Sequence, residues 1–302
     1  MKTQTIQACI IILFLFLFTI PSTGASEEET IDKTFQINGT LPVDFEFLDN
    51  DGDVHFTTWN RDEVHILIHK EIKSVNGRRS KRLLEETKVE ISQHNNTIRV
   101  RVRYPRIRGF VFISDSGRIK VTSEIKVPAK TNLDCRLDDG DITIEGTSGD
   151  LYLKADDGTI RVTNAQGSIE GDTDDGRIIL ENFSGKAYLD SDDGDILISG
   201  NFSTLDLESD DGDIKVRNLA GSSMDNDWQI KTDDGDVEIY FTKDFSADFH
   251  INTDDGRINS QLPIVFKEIT SKRNLSGKIK DGGHLISIKT DDGDITLKES
   301  KF

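Results

Sequence analysis

The stretch Leu133–Glu145 reads LDCRLDDGDITIE and contains the pattern that decides the fold. Its centre is the turn signal Asp138-Asp139-Gly140, and on both sides of this signal apolar and polar residues alternate. Alternation with a period of two is typical of a half-buried β-strand. Aspartate forms turns because it caps its own backbone, and glycine forms them because it permits a positive φ. The stretch therefore predicts two short strands joined by a turn.

The same pattern recurs along the C-terminal half of the chain. Asp-Asp-Gly occurs eight times, beginning at Asp138, Asp156, Asp174, Asp192, Asp210, Asp233, Asp254 and Asp291. The first four steps are 18 residues long, the next two are 23 and 21, and the last is 37. Apolar pairs such as Ile142/Ile144 follow the turns, and glycine or asparagine, for example Gly146 or Asn164, marks a second turn. Self-similarity of this kind indicates a repeat architecture.

Stacking explains how such a repeat can be stable. One pair of short strands cannot bury its apolar side chains, but successive copies that pair strand on strand can bury them between two sheets. The sequence therefore predicts an all-β fold, a single right-handed parallel β-solenoid with about 18 residues per coil and an N-terminal β cap. Neighbouring parallel strands would lie ~4.8 Å apart.

Three segments are predicted: a signal peptide over residues 1–25, an N-terminal β cap with the first irregular coils over 26–132, and the Asp-Asp-Gly β-solenoid over 133–302. The apolar run Ile10–Leu17 is followed by small residues, which favours cleavage after Ala25. An uncleaved anchor is the alternative. We expect an exported protein, either periplasmic or on the cell surface or secreted, with no transmembrane segment after the signal peptide.

The N-terminal section contains weaker versions of the repeat. Asp49–Val54 and Ser116–Ile119 resemble worn copies of it. Between them, Ser74–Glu86 is rich in charge and is predicted to be a mobile loop that includes the basic run Arg78–Arg82. Helical periodicity is not expected outside the signal peptide. The section is predicted to cover the first coil, whose open edge would otherwise invite aggregation.

Charge differs sharply between the two parts of the predicted mature chain. Residues 26–137 carry 19 Lys+Arg and 18 Asp+Glu, a net charge of +1, whereas residues 138–302 carry 17 and 37, a net charge of −20. Nucleic acid is excluded as a partner of the acidic part, because a polyanion requires a basic surface. The mature chain keeps one cysteine, Cys135, so it has no internal disulfide, and the apolar register predicts that this residue is buried.

Three segments carry a family resemblance. They are Gly52–Val54 with the following Trp59–Val64, then Val127–Leu133, and the C-terminal Leu275–Ile295. Through them the chain resembles the bacterial putative-adhesin family, a domain of unknown function built as a β-solenoid of Gly-Asp-Ile/Val repeats. The likeness covers nearly all of residues 31–300. It implies this fold and export, and it implies no reaction.

The stacked turns could carry chemistry of their own, because register would place their carboxylates in two ladders at the coil spacing. Such ladders repel and would gain from cations between the rungs, so a calcium-binding repeat module is one hypothesis. Its candidate ligands are Asp138, Asp139, Asp156, Asp157, Asp174, Asp175, Asp192, Asp193, Asp210, Asp211, Asp233 and Asp234. The competing interpretation is that these residues are turn formers that point into water. A third ladder is not expected, because Thr159, Arg177 and Arg257 replace aspartate after the glycine in three copies.

Function is predicted from the architecture. A carbohydrate-active β-helix enzyme is the least favoured alternative, because identical acids repeat along the rod and a catalytic pair needs two different environments. We expect no enzyme and no cofactor other than calcium, and instead a non-catalytic interaction or adhesin-like scaffold whose partner is an envelope protein or glycan. The basic strand Arg99, Arg101 and Arg103 could hold an anionic polymer, face solvent, or pair with the acidic column of the same or a second molecule, which leaves self-association open.

Overall fold

The structure is a computed structural model that describes residues 26–73, 77–105, 119–271 and 273–300. Within these ranges the chain forms 23 β-strands, all in one sheet, and one α-helix, so the all-β prediction is confirmed. The elements are β1 Ser26–Gln36, β2 Val43–Leu48, β3 Gly52–Trp59, β4 Glu63–Lys73, α1 Gly77–Glu86, β5 Lys88–His94, β6 Thr97–Arg103, β7 Ile119–Pro128, β8 Thr131–Leu137, β9 Ile142–Glu145, β10 Ser148–Ala155, β11 Ile160–Thr163, β12 Gln166–Thr173, β13 Ile178–Ser191, β14 Ile196–Ser209, β15 Ile214–Asn218, β16 Trp228–Thr232, β17 Val237–Phe241, β18 Ala247–Thr253, β19 Ile258–Ser260, β20 Val265–Ser271, β21 Asn274–Ile279, β22 Leu285–Thr290 and β23 Ile295–Glu299. The predicted signal peptide lies outside the described residues.

The central strands pair in parallel, copy against copy. Ile142 of β9 lies opposite Ile160 of β11, which in turn lies opposite Ile178 of β13. Leu133 of β8 and Leu151 of β10 pair in the same way on the other side of the Asp-Asp-Gly turn. We call one such unit, the two strands that flank one turn, a layer.

Alternate side chains of the two halves of the sheet point into one shared core. Ile142, Ile160 and Leu151 are buried there. Each isoleucine or leucine buried in this way contributes about 1.5–3 kcal/mol of transfer free energy. Cys135 is also buried, as predicted, and burial raises the pKa of its thiol well above the usual value.

The last two copies stack out of chain order. Ile286 of β22 pairs with Trp228 of β16 on one side and with Phe249 of β18 on the other, so the layer of β22 and β23 lies between two earlier ones. The prediction that successive copies stack on one another is therefore wrong at this end. The reason is that β21 pairs antiparallel with one edge of β18, which leaves only the other edge of β18 for a parallel neighbour.

The first described layer consists of β2 and β3. Val54 lies opposite Ile142, and the backbone N–H of Asp139 donates to the carbonyl of Asn50 at 2.7 Å, so Asp49–Val54 is a repeat copy in register with the others. On the outer side of this layer, β6 pairs in parallel with β2 and β7 pairs in parallel with β3. Antiparallel strands follow: β5 pairs with β6, β4 pairs with β7, and β1 pairs with β4. Most of the second predicted worn copy, Ser116–Ile119, lies outside the described residues.

The prediction of a mobile loop over Ser74–Glu86 is wrong, because the helix α1 lies there and packs against β1 and β4. A buried lysine forms hydrogen bonds at the C-terminal end of α1. Lys70 is 2% exposed, and its Nζ donates to the carbonyl oxygens of Leu84 at 3.2 Å and Thr87 at 3.0 Å and pairs with Glu29 at 2.7 Å. These donors satisfy carbonyls that a helix end leaves unpaired. Among the described residues, no helix has the length and apolarity needed to cross a bilayer.

Candidate functional site

The Asp-Asp-Gly turns stack along one side of the sheet, which we call the aspartate edge. The backbone N–H groups of Asp156 and Asp157 both donate to the carbonyl of Asp138, at 3.1 Å each. Asp174 and Asp175 make the same pair of bonds to Asp156, at 3.0 Å each. The structure thus brings the twelve predicted aspartates together in one column, as the register required. Their backbones hold the turns in place.

Close stacking explains why each turn needs glycine. A Cβ atom on Gly194 would lie 1.7 Å from the carbonyl oxygen of Gly176, and one on Gly176 would lie 1.9 Å from that of Gly158. The predicted reason, a positive φ, is wrong for seven of the eight Asp-Asp-Gly glycines; only Gly140 has a positive φ, of 135°. Glycine is needed because the backbones of neighbouring turns almost touch.

A buried hydroxyl group completes the inside of six turns. In the layer of Asp210, the N–H of Gly212 donates to Ser209 Oγ at 3.0 Å, and this hydroxyl donates to the carbonyl of Gly194 at 3.3 Å. The residues in this position are Thr173, Ser191, Ser209, Thr232, Thr253 and Thr290. Serine or threonine stands directly before Asp-Asp-Gly in these six copies. The recurrence of Ser or Thr was the available signal of a buried hydrogen bond.

The aspartate after the glycine joins one layer to the next. Asp213 Oδ1 accepts the backbone N–H of Asp236 at 2.8 Å, and Asp236 Oδ1 accepts that of Asp294 at 2.7 Å. Asp141 Oδ1 accepts the N–H of Thr159 at 2.9 Å, so the receiving position needs no acid. Sequence reasoning discounted this position as a metal ligand and missed its structural role.

The outward aspartates of the edge repel one another. Desolvation, followed by the charges of Asp174 and Asp210, raises the pKa of Asp192, and Asp157 and Asp211 show the same direction of shift for the same kinds of cause. Unit charges about 5 Å apart repel by a little under ~1 kcal/mol in bulk water. No three His, Cys, Asp or Glu side chains in the part of the chain that the structure describes are grouped as metal ligands. The calcium hypothesis therefore gains no support.

The first layer places an acid at the position where six other layers place a hydroxyl. Asp49 precedes Asn50 and Asp51 as Ser209 precedes Asp210, and it is only 5% exposed. Burial raises its pKa to about 6, although the adjacent hydroxyl of Tyr104 and the backbone N–H groups of Asp51 and Asn50 act in the opposite direction. Asn50 N donates to Asp49 Oδ1 at 2.7 Å.

One face of the sheet exposes two aromatic rings. We call it the tyrosine face, and it consists of the outward side chains of β8, β10, β12, β16 and the C-terminal halves of β13 and β14. Tyr152 and Tyr188 are 37% and 40% exposed. The strand register places them in one row with acids on either side, in the order Asp134, Tyr152, Glu170, Tyr188 and Asp206. The two rings are two layers, about 10 Å, apart.

The opposite face holds a third tyrosine within a cluster of charges. The ring of Tyr240 has Lys215 Nζ at 5.4 Å, Arg217 Cζ at 5.1 Å and Lys298 Nζ at 5.4 Å from its centroid. Burial acts to raise the pKa of Glu238, but hydrogen bonds from Lys215, Lys298 and Tyr240 outweigh it and lower this pKa to about 2. This cluster is an internally satisfied network.

The basic strand β6 is paired within the chain. Arg99 bonds Glu46 at 2.7 Å, and Arg103 bonds Glu90 at 3.1 Å. Arg99, Arg101 and Arg103 are exposed, as the solvent-facing interpretation predicted. The ion pairs are made to neighbouring strands, so the predicted pairing with the acidic column of the same chain is not found among the described residues. Exposed pairs of this kind contribute ~0–1 kcal/mol each.

Comparison with known families identifies one match. The model of the family described as Toastrack DUF4097 matches residues 44–298. The match covers the aspartate edge and both faces of the sheet, and it confirms the family resemblance that the sequence indicated. No curated protein matches the chain.

Solved structures of similar proteins come from bacteria. The chain is similar to a putative lipid binding protein from Parabacteroides distasonis, with 12% identity, coverage of 91% of this chain and 98% of the other, and a TM-score of 0.45. It is similar to a putative adhesin from the same species, with 12% identity, coverage of 92% and 98%, and a TM-score of 0.42. A putative adhesin from Bacteroides fragilis has 14% identity, coverage of 90% and 97%, and a TM-score of 0.37.

Proposed function

Because the chain belongs to the Toastrack DUF4097 family, we propose that it is an exported, non-catalytic scaffold with an adhesin-like binding role. Its stack of layers is a right-handed β-solenoid with about 18 residues per coil, and residues 26–132 include its N-terminal cap. Its partner is an extended protein or glycan of the cell envelope, which it contacts through the tyrosine face.

The row of exposed aromatic rings is the observation that carries this proposal. Tyr152 and Tyr188 present apolar ring surface on a sheet face whose other outward side chains are mostly charged. Tyrosine is enriched at binding surfaces because its ring buries a large area while its hydroxyl keeps a polar contact. Two rings about 10 Å apart along a straight row suit a partner that is itself extended.

The carboxyl groups support a role without catalysis. A pair of catalytic acids needs neighbouring groups whose pKa values are pushed apart by different surroundings. The aspartates of the edge repeat in similar surroundings layer after layer. Asp49 and Glu238, whose pKa values are about 6 and about 2, lie in different layers, the first inside a turn and the second on the face opposite the tyrosines.

The proposal is tested with purified residues 26–302 and the envelope fraction of the source cells. We expect the chain to sediment with the envelope, and we expect the double variant Tyr152→Ala/Tyr188→Ala to lose at least about tenfold in affinity, which corresponds to ~1.4 kcal/mol. Tyr240→Ala removes a tyrosine from the opposite face and is the matched control. Absence of envelope binding by the unmodified chain, or equal losses in both variants, would overturn the proposal.

A further inference from the structure

Arg136 demonstrates how the tyrosine face holds a cation. Its guanidinium carbon lies 4.9 Å from the ring centroid of Tyr152. Its Nε and Nη2 donate to Asp134 Oδ1 and Oδ2, both at 2.9 Å, and Asp134 is the strand neighbour of Tyr152. One guanidinium thus lies against an aromatic ring while it binds a carboxylate with two parallel bonds. Planar guanidinium groups favour this combination of stacking and bidentate pairing.

Tyr188 has the same neighbours but no cation. Glu170 stands beside it as Asp134 stands beside Tyr152, and Asp206 stands on its other side. The position that corresponds to Arg136 is Asp172, whose carboxylate pairs with Lys154 at 2.5 Å. No lysine or arginine in the described ranges lies over the ring of Tyr188 or forms an ion pair with Glu170 or Asp206. The ring of Tyr188 and the carboxylates of Glu170 and Asp206 are therefore accessible to a cation of a binding partner.

The surroundings of Tyr188 favour a positive ligand. Asp190 follows on the same strand, and burial together with the charges of Glu208 and Asp172 raises its pKa. Lys186 precedes Tyr188 on the same face and is exposed, but it does not cover the ring. A cation that reached Tyr188 would be attracted by several carboxylates and would relieve their mutual repulsion.

We propose that Tyr188, Glu170 and Asp206 bind an arginine side chain of a basic protein segment. This inference rests on the proposed function of the tyrosine face and names the chemistry of its partner. A bare metal ion fits the site less well, because hard cations prefer several converging oxygen atoms and gain little from an aromatic ring. A guanidinium uses both the ring and the acids, as Arg136 does at Tyr152.

The first test compares three variants that leave the net charge unchanged. Binding of a fluorescent peptide of alternating arginine and glycine is measured by anisotropy at low ionic strength. We expect Tyr188→Ala to weaken binding about two- to fivefold, the loss of one exposed cation–π contact. Tyr188→Phe should retain binding. Tyr240→Ala, on the opposite face, should have no effect, because Lys215, Arg217 and Lys298 already surround that ring. Equal effects of Tyr188→Ala and Tyr240→Ala, or no effect of either, would overturn the proposal.

The second test fills the site from within. Asp172→Arg places a guanidinium at the position that corresponds to Arg136, next to Tyr188, and should abolish the contribution of Tyr188 to peptide binding. Asp150→Arg makes the same change of charge on the same face one layer away and is the matched control. A larger loss of peptide binding in Asp172→Arg than in Asp150→Arg supports the proposal, and equal losses would overturn it.

Two further arms separate the alternatives. Binding of a lysine–glycine peptide and of a polyamine is measured in the same way. If Tyr188→Ala lowers the affinity for either ligand as much as it lowers the affinity for the arginine peptide, the assignment to guanidinium is overturned. Envelope binding that needs both tyrosines, without any binding of the arginine peptide, would overturn this inference and leave the proposed function intact. Peptide binding that depends on Tyr188 without envelope binding would support the inference and overturn the proposed function.

Discussion

The inner and outer sides of the aspartate edge consist of adjacent residues, but different forces act on them. On the inner side, glycine backbones stack almost in contact, and buried hydroxyl groups such as that of Ser209 bond two layers at once. On the outer side, aspartates such as Asp192 are exposed and repel their neighbours. The most visible repetition in the sequence, the acidic pair, thus holds the turn through its backbone N–H groups, whereas its carboxylates repel one another.

The largest expected effect comes from the inner glycines. Gly194→Ala would place a Cβ atom 1.7 Å from the carbonyl oxygen of Gly176, and a backbone atom in a stack of turns cannot move away cheaply. We expect a loss of at least about 3 kcal/mol in the free energy of unfolding, measured by denaturant titration. Gly171→Ala is the control, because its new Cβ would meet only side-chain tips, Leu189 Cδ2 at 3.0 Å and Ile178 Cδ1 at 3.8 Å. Similar losses in both variants would contradict the backbone contact as the cause.

The buried acid of the first layer should make stability depend on pH. Asp49 has a pKa of about 6, above its ordinary value of 3.8, so the folded state favours the protonated form. Its contribution to stability is therefore greatest below about pH 4 and is lost as the pH rises to about 6. A shift of about two pKa units corresponds to about 3 kcal/mol.

Asp49→Asn tests this dependence, because asparagine keeps the oxygen that accepts the N–H of Asn50. We expect the variant to be more stable than the unmodified chain at about pH 8, by up to about 3 kcal/mol, and nearly equal to it at about pH 4. Asp150→Asn, on the exposed tyrosine face, should change stability by less than about 0.5 kcal/mol at both pH values. A constant difference between Asp49→Asn and the unmodified chain across this range would contradict the assignment.

Removing a buried hydroxyl group from a turn and adding one to another turn should change the free energy of unfolding in opposite directions. Ser209→Ala leaves the buried N–H of Gly212 without its acceptor and should cost about 1–3 kcal/mol in a denaturant titration. Ala155 occupies the corresponding position in its own layer, so Ala155→Ser should gain up to about 1 kcal/mol. The hydroxyl contribution would be contradicted if the first change were neutral and the second destabilising.

The smallest effect is expected on the outer side. Asp192→Asn removes one charge that neighbouring aspartates repel, so the melting temperature should rise slightly at low salt and the gain should vanish at about 1 M NaCl. Calcium and magnesium should raise the melting temperature of the unmodified chain equally at matched ionic strength. A rise in melting temperature that is specific to calcium, and that is lost when alternate aspartate pairs are replaced by asparagine, would support the calcium hypothesis.

The parallel pairing of the central strands could be predicted because register follows from the period of two. A slip of one residue would turn Ile160 and Ile178 outward, so the apolar pattern alone aligns them. The same pattern carries no information about which copy lies beside which, so the position of β22 and β23 could not be predicted. Helix α1 was missed because its sequence, GRRSKRLLEE, is mostly charged and the bonds to its C-terminal carbonyls come from Lys70, a residue outside the helix.

Part of the candidate site could be predicted from the sequence. Tyr152 and Tyr188 occupy the same phase of the repeat two copies apart, and this spacing places them in one row. What the sequence does not contain is the contact of Arg136 with only one of the two rings, which depends on the position of a long side chain. The difference between a covered and an uncovered ring therefore required the three-dimensional structure.

The insertion of β22 and β23 between two earlier layers has a consequence for how the molecule is assembled. Strand β18 pairs with β22 and β21 but not with β16, so the segment from β18 to β21 has no place on the stack until β22 and β23 have been made. A chain that emerges N-terminus first can add its central layers one at a time, whereas its last layers must close together as one unit. A duplicate of the final repeat that paired in the same way would accordingly be inserted between existing layers, and would not be added at the end of the stack.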